Sequence, residues 1–311
     1  MKQGWATRCH LLIWMIGLAL VATGCSRPSP TGLEAEQLVT SGTTGKRIVF
    51  QLPNGIPLPM RWIAPGSFAM GSPESEVGRV EDEVQHEVHL TEGFFIAETE
   101  LSQAQWTSLM STNPSRNANA RCPVENIPWA EARKFCTALT QHQRSNGDLV
   151  DGWEWDLPSE AQWEMACRAG NPGPFGGALE SVAWFRQNSG GASHPVALKT
   201  ANPWGLHDMH GNAAEWCLDW FSDYPTNSHG WTDPAGPIWS FAPVVRGGSF
   251  NSGPNDCRSA ARSVGMPATS PDPALQKLLD EYTTQRRASG LEPAPNPMIG
   301  MRPVLKRKKR F

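Results

Sequence analysis

The chain has 311 residues and a formal net charge of −3, so it is long enough for one large domain or two small ones. The nearly balanced charge provides no large basic field, which argues against nucleic acid as a partner. Fourteen Trp against two Tyr, with 29 Gly and 27 Pro, indicate a loop-rich fold held by buried indole rings. No low-complexity linker divides the chain internally, which favours a single domain.

The first 25 residues are typical of a targeting segment. A charged start is followed by an apolar run at 11–22, which is short for a spanning helix. Small residues ahead of Cys25 resemble a bacterial lipoprotein processing site, with Cys25 as the lipid acceptor. Ala22 stands where Leu is commoner, so simple secretion or an uncleaved anchor is an open alternative.

Residues 26–46 are predicted to form a polar tether, and residues 47–311 the folded domain. This organisation predicts a lipoprotein of the bacterial cell envelope, facing the periplasm or the surface, with its lipid in the membrane. That compartment is oxidising, so cysteine counting is informative. An odd number of cysteines remains in the domain, so at least one thiol is expected to be free or paired elsewhere: Cys122, Cys136, Cys167, Cys217 and Cys257.

Short strands dominate the predicted first part of the domain. Strands at 48–52 and 60–63 flank an Asn-Gly turn at 54–55, which predicts a hairpin. Further strands are predicted at 86–90 and 94–99.

Three short helices are predicted next. Ser102 with Gln105, and Ser159 with Gln162, match the capping box that begins a helix. A helix at 129–141 carries apolar residues at helical spacing. Short helices between strands predict an α+β domain.

The loop at 202–220 combines turn signals, carboxylates and indoles. Calcium takes six to eight oxygens from carboxylates and from carbonyls that a tight loop turns inward. Such a set would come from Asp208, the carbonyls of Gly211 and Ala213, and Glu215. On spacing alone, a Trp-rich turn with solvated acids and no metal is the favoured alternative.

The last part of the domain holds a strand at 244–245 and a segment of helical composition at 271–290. The tail at 306–310 is basic; a solvated terminus is favoured over contact with anionic phosphates.

Five ordered motifs in this chain resemble the formylglycine-generating enzyme, or sulfatase-modifying factor, family. They are WIAPGSFAMGS at 62–72, ETELSQAQW at 98–106, LPSEAQWEMACRAG at 157–170, NPWGLHDMHGNAAEWCLDW at 202–220 and VVRGGSF at 244–250. The resemblance implies a C-type-lectin-like α+β single domain with much irregular structure. The helical insert at 271–290 departs from the family and is a candidate partner surface. After it, GMR at 300–302 resembles the family's closing strand.

The resemblance also implies a structural calcium ion. The family builds a calcium site on the pattern that here comprises Asp208, Gly211, Ala213 and Glu215. Asp208 stands where family members often have Asn, which equally supplies an oxygen.

The family's copper centre is not expected in this chain. The enzyme oxidises a sulfatase cysteine to formylglycine, and two cysteines after its Gly-Gly-Ser strand hold copper(I). Counted forward from that strand, the two positions are Ser252 and Cys257, and a serine hydroxyl is a poor ligand for a soft ion. Counted back from Arg262, Cys257 misses the second position as well, so both counts lose the pair.

The backward count places Cys257 close to a cysteine that the family uses in a structural disulfide. The resemblance therefore implies a bridge between Cys167 and Cys257, and Cys122 with Cys136 is a further candidate pair.

Three functions are consistent with these residues. The favoured one is a catalytically silent family domain that binds an envelope protein, a peptide or a glycan. The alternative is a metal-dependent oxidase acting on a cysteine-containing protein, with Ser249, Ser252 and Cys257 lining its site. The third is a purely structural envelope lipoprotein.

Overall fold

The structure, a computed structural model, describes residues 39, 42–224, 230–238, 240–265, 273–290 and 298–308. The strands are β1 Arg47–Gln51, β2 Pro57–Ile63, β3 Gly66–Met70, β4 His86–Leu90, β5 Phe94–Ala97, β6 Trp153–Asp156, β7 Ala183–Trp184, β8 His210–Gly211, β9 Ala214–Trp220, β10 Trp231–Thr232, β11 Pro243–Arg246, β12 Arg262–Val264, β13 Ile299–Gly300 and β14 Val304–Arg307. The helices are α1 Gln103–Thr107, α2 Trp129–Asn146, α3 Glu160–Arg168, α4 Leu179–Val182 and α5 Pro273–Ala288.

The first sheet begins with the predicted hairpin. Strands β1 and β2 are antiparallel, and Asn54 in the turn between them has a φ of 62°. The strand order is β1-β2-β5-β14-β6, so the last strand of the chain lies between two earlier ones. Val304 pairs with Ile96 on one side and with Asp156 on the other.

A second sheet, in the order β12-β11-β9-β13, carries much of the 202–220 loop. Strand β9 is antiparallel to β11 and parallel to β13. Glu215 therefore has Arg246 on one side and Gly300 on the other. Two smaller sheets have the orders β10-β4-β3 and β7-β8.

Both predicted capping boxes are present. Ser102 accepts from the backbone N–H of Gln105, and Ser159 does the same for the N–H of Gln162. In each pair the glutamine side chain also accepts from the backbone N–H of the serine, so orphan donors of the first turn are satisfied. Helix α2 extends beyond the predicted end at 141 because Gly147, at a φ of 74°, provides its left-handed cap.

Two hydrophobic cores lie on opposite faces of the first sheet, because side chains alternate along a strand. Phe95 of β5 packs into one core, and Phe94 and Ile96 into the other. Indoles fill both cores, as the composition predicts: Trp106 stacks on Phe135 at 5.4 Å in the first, and Trp163 is buried in the second.

Helix α5 forms within the predicted insert and docks on the domain through one face. Tyr282 contacts the rings of Phe221 and Phe241, with centroids 5.7 and 5.8 Å away. Arg286 is buried, and its guanidinium donates to the carbonyl of Arg262 and to Asp256 Oδ1. Helix α5 is therefore packed against the start of β12.

The predicted targeting segment and Cys25 lie outside the described residues, and so does most of the tether. Strand β1 begins at Arg47, where the domain was predicted to start. Lys306 of the basic tail forms an ion pair with Asp156 at 2.9 Å, whereas 309–311 are not described. Within the described ranges, no helix is both long and apolar enough to cross a membrane.

Candidate functional site

The predicted calcium loop contains a buried ion pair. Glu215 Oε1 accepts from Nε and Nη2 of Arg302, at 3.0 and 2.7 Å. Its Oε2 accepts from Arg302 Nε at 3.0 Å and from Trp163 Nε1 at 2.8 Å. Since Arg302 Nε has one hydrogen, which the two oxygens share, three N–H donors engage the carboxylate of Glu215. The closing GMR segment thus holds the loop through a guanidinium.

Two further acids lie near this pair. Glu100 accepts from the Ala213 N–H at 2.8 Å and from the Asn212 side chain at 2.9 Å. Burial first, and then the charges of Asp208 and Glu215, hold the pKa of Glu100 well above its usual value. Burial likewise raises the pKa of Asp208. Three acids lie near one guanidinium here. Charge balance would therefore require either a second cation besides Arg302 or protonation of some of the acids.

The four predicted calcium ligands extend from the residues before β8 into β9, and they do not share one free set of oxygens. Asp208 Oδ2 accepts from the Ala197 N–H at 2.7 Å, and its Oδ1 is buried without a hydrogen bond. Both oxygens of Glu215 are engaged by Arg302 and Trp163. In the described part of the chain, no group of three or more His, Cys, Asp or Glu side chains is arranged to hold a metal ion. Calcium therefore stays a prediction, and it would require Glu215 to release Arg302.

The backbone conformation at position 211 requires glycine. Gly211 has a φ of 81°, and a Cβ placed there would come within 2.0 Å of the Trp184 carbonyl oxygen. The Gly211 N–H donates to the Gly247 carbonyl at 2.7 Å. This contact ties the loop to the segment that follows β11.

That segment holds the candidate catalytic residues. Ser249 donates its N–H to Ser252 Oγ at 2.9 Å, and the two hydroxyl oxygens are 3.2 Å apart. Met298 Sδ is 3.6 Å from Ser249 Oγ. The two serines thus form a small hydrogen-bonded turn.

Cys257 has a different environment. It is 0% exposed and clusters with Ala183 and Phe185. Burial, followed by the charge of Asp256, raises the pKa of its thiol far above the usual value. A neutral thiol in an apolar cluster is a weak ligand for copper(I), and Ser252 offers no thiolate to accompany it.

The predicted bridge from Cys167 to Cys257 is not formed in this structure, where both cysteines are free thiols. Cys167 Sγ lies 3.6 Å from Ser259 Oγ and 3.9 Å from Nε2 of His210. The Nδ1 of His210 donates to the Cys257 carbonyl at 2.8 Å, and its Nε2 accepts from the Gly176 N–H. Burial lowers the pKa of His210 to about 4. A neutral histidine therefore links the two cysteine segments.

Cys122 and Cys136, the other candidate pair, are also buried free thiols.

Sequence reasoning gave no role to Glu100, Arg302 or His210. Glu100 and Arg302 stand inside the ETELSQAQW and GMR motifs, which were noted only as marks of the family. Their partners are more than 80 positions away along the chain, so no local spacing indicates the contact.

The fold and this loop define a domain of the formylglycine-generating-enzyme type. The sequence model for the sulfatase-modifying factor enzyme 1-like domain matches residues 53–274, which is more than half of the chain. The chain therefore belongs to the sulfatase-modifying factor family.

Several curated proteins are similar to this chain. The chaperone protein LppX of Paenibacillus barcinonensis is 26% identical over 193 residues, covering 47% of this chain and 69% of that protein. The formylglycine-generating enzyme of Streptomyces coelicolor is 37% identical over 168 residues, covering 48% of this chain and 49% of the enzyme. The match to the Thermomonospora curvata enzyme is 30% over 190 residues, covering 54% and 58%. The chain thus spans only about half the length of these two enzymes.

Two solved structures share the fold. Treponema denticola variable protein 1 has a TM-score of 0.66 and 24% identity, covering 84% of this chain and 99% of its own. PvdO from Pseudomonas aeruginosa has a TM-score of 0.63 and 21% identity, covering 86% and 99%. These matches confirm the predicted α+β fold of the family.

Proposed function

We propose that this chain is a family member without formylglycine-generating activity and that it binds an envelope protein, a peptide or a glycan. One observation carries the first part. At the positions counted for the copper pair, the Ser252 hydroxyl is hydrogen-bonded to Ser249, and the Cys257 thiol is buried in an apolar cluster. Copper(I) binding requires accessible thiolates, so this arrangement does not favour the family's oxidation.

A protein or peptide partner has the best support among the three ligand classes. LppX, which is similar over 69% of its own length, is named a chaperone protein, and a chaperone binds polypeptides. The metal-dependent oxidase is the competing function, and a conversion assay distinguishes the two.

A conversion assay tests the loss of activity. The full chain is incubated with copper(I), oxygen and a Cys-x-Pro-x-Arg peptide, and mass spectrometry follows the peptide. We expect no aldehyde, whereas the Streptomyces coelicolor enzyme serves as the positive control. The Ser252→Cys variant should also remain inactive, because it leaves Cys257 buried. Aldehyde formation by the unaltered chain would establish the oxidase instead.

Membrane anchoring is part of the same proposal, supported by the leader that ends at Cys25. Replacing Cys25 with Ser should shift the protein from the membrane fraction to the soluble fraction of cells that process lipoproteins. The measurement is immunoblotting of the two fractions, with the unaltered chain as control. An unchanged distribution would reject lipidation at this cysteine.

A further inference from the structure

A cavity of about 270 Å³ opens beside the end of β9. It is bordered by Pro234, Ala235 and Gly236, which follow β10. Acidic and aromatic residues line it, among them Asp219, Asp223, Tyr224 and Trp231.

Asp219 forms the acidic floor of this cavity. It is only 6% exposed, and its Oδ2 accepts from the Glu160 N–H at 2.9 Å. Its Oδ1 makes no hydrogen bond to any described residue. Asp219 also borders a neighbouring hollow of about 380 Å³, and Pro234 and Ala235 line both spaces. A carboxylate oxygen that the protein leaves without a donor can accept from a ligand or from water.

The charges around the cavity favour a cation. Among the described residues, four charged side chains border it: Glu160, Asp219, Asp223 and Arg262. Arg262 Nε and Nη2 donate to the two carboxylate oxygens of Glu160, at 2.6 and 2.9 Å, so these two charges cancel. Asp219 on the floor and Asp223 on the exposed rim remain. The lining therefore has an excess of negative charge.

Aromatic rings form the walls. His86 lies 4.7 Å from Tyr224 and 6.3 Å from Trp231, measured between ring centroids. The guanidinium carbon of Arg262 lies 3.7 Å from the Tyr224 ring centroid, so one ring of this cluster already accepts a cation on its face. The half-buried Trp231 also lines the cavity. Indole faces attract ammonium groups through the ring quadrupole.

We propose that this cavity binds an organic ammonium group, with Asp219 as its counter-ion and Trp231 as its aromatic wall. The ammonium comes either from a lysine side chain of a bound polypeptide or from a small quaternary ammonium compound. Both ligands carry alkyl groups that can pack against the aromatic rings and a positive charge that can pair with Asp219. The site is independent of the copper and calcium positions and of the proposed loss of oxidase activity.

The protonation of Asp219 supports this site. Burial, and then the negative charge of Glu160, raises its pKa to about 7, while Lys306 and Arg262 oppose the rise. The other titratable groups that line the cavity among the described residues are His86, Glu160, Asp223, Tyr224 and Arg262. A bound cation favours the carboxylate, so protonation competes with binding. The affinity should therefore rise as the pH increases through about 7.

Calorimetric titration of the full chain tests the proposal with three probes at about pH 8, above the Asp219 pKa. The probes are choline, its neutral carbon isostere dimethylbutanol, and lysine carried as an N-acetyl amide. We expect at least one cationic probe to bind and the neutral isostere not to bind. Tighter binding of choline indicates a quaternary ammonium ligand, and tighter binding of the lysine probe indicates a polypeptide. Equal binding of choline and dimethylbutanol, or no binding of either cation, would overturn the proposal.

Variants locate the binding. Asp219→Asn keeps an oxygen for the Glu160 N–H and should weaken the cationic probe at least about tenfold and flatten its pH dependence. Glu92→Gln is the matched control: its side chain is 68% exposed and borders the neighbouring hollow only, so it should bind as the unaltered chain does. Trp231→Leu is a second test of the site in case Asp219→Asn lowers the melting temperature too far for its binding to be measured. Unchanged affinity in folded Asp219→Asn or Trp231→Leu would place the binding elsewhere and refute the site.

Discussion

Replacing Glu215 with Gln is expected to lower the free energy of unfolding by about 3–5 kcal/mol, because it leaves Arg302 buried without its counter-charge. Both side chains are buried, and three N–H donors of Arg302 and Trp163 converge on the carboxylate. An amide has one oxygen acceptor and adds an NH₂ donor that would face these N–H groups. The loss therefore combines an uncompensated charge with unsatisfied donors.

The same variant tests the calcium prediction. We expect an equal loss in calcium and in chelator, measured by urea unfolding, because both oxygens of Glu215 are engaged by Arg302 and Trp163. A loss that appears only in calcium would show that a metal ion holds the loop. Glu131→Gln is the control: this 43% exposed residue pairs with Lys134, and its loss should stay below about 1 kcal/mol.

Replacing Arg246 with Met is expected to destabilise the protein by a similar amount, about 3–5 kcal/mol. Arg246 is buried in β11, where it binds Glu164 and donates to the carbonyls of Ser259, Ala260 and Ala261. Without the guanidinium, three carbonyls and a buried carboxylate lose donors. Arg47→Met is the matched control, because that arginine is 48% exposed in a surface ion pair.

The pH dependence of this variant follows from Glu160. Burial alone would raise its pKa, but the charges of Arg262 and Arg246 lower it below the usual 4.5. A folded-state pKa below the unfolded value contributes stability that is present above about pH 4.5 and is lost as the pH falls through the folded value. The stability gap between Arg246→Met and the unaltered chain should therefore narrow in acid. A gap that widens in acid would contradict this reading.

Local signals predicted the elements well. The Asn-Gly turn produced its hairpin and both capping boxes began helices, because each depends on residues only a few positions apart. The insert at 271–290 likewise contains the helix α5. The ends of elements were less accurate: β5 ends at Ala97 and not at 99.

Long-range pairing could not be obtained from the sequence in the same way. The insertion of β14 between β5 and β6 is set by cross-strand packing and leaves no local pattern. The same limit applied to the site. The acids of the 202–220 stretch were recognised, but the contact of Glu215 with Arg302 was not, because the two residues lie 87 positions apart along the chain.

The cavity at Asp219 was missed for a related reason. Its aromatic and acidic side chains come from β4, β9, β10 and the loops beside them. In the sequence, Trp231 only indicated a buried indole, and His86 only began a predicted strand. Only the folded structure brings these residues together around one cavity.

The reactivity of Cys257 is the most direct test of the proposal that this chain lacks formylglycine-generating activity. The folded full chain is treated with an alkylating reagent, with and without copper(I), and Cys257 is quantified by peptide mass spectrometry under native and denaturing conditions. We predict that Cys257 reacts only after unfolding and that copper(I) makes no difference, because the thiol is buried and neutral. Rapid alkylation in the folded protein that copper(I) suppresses would contradict this and make the oxidase the leading function.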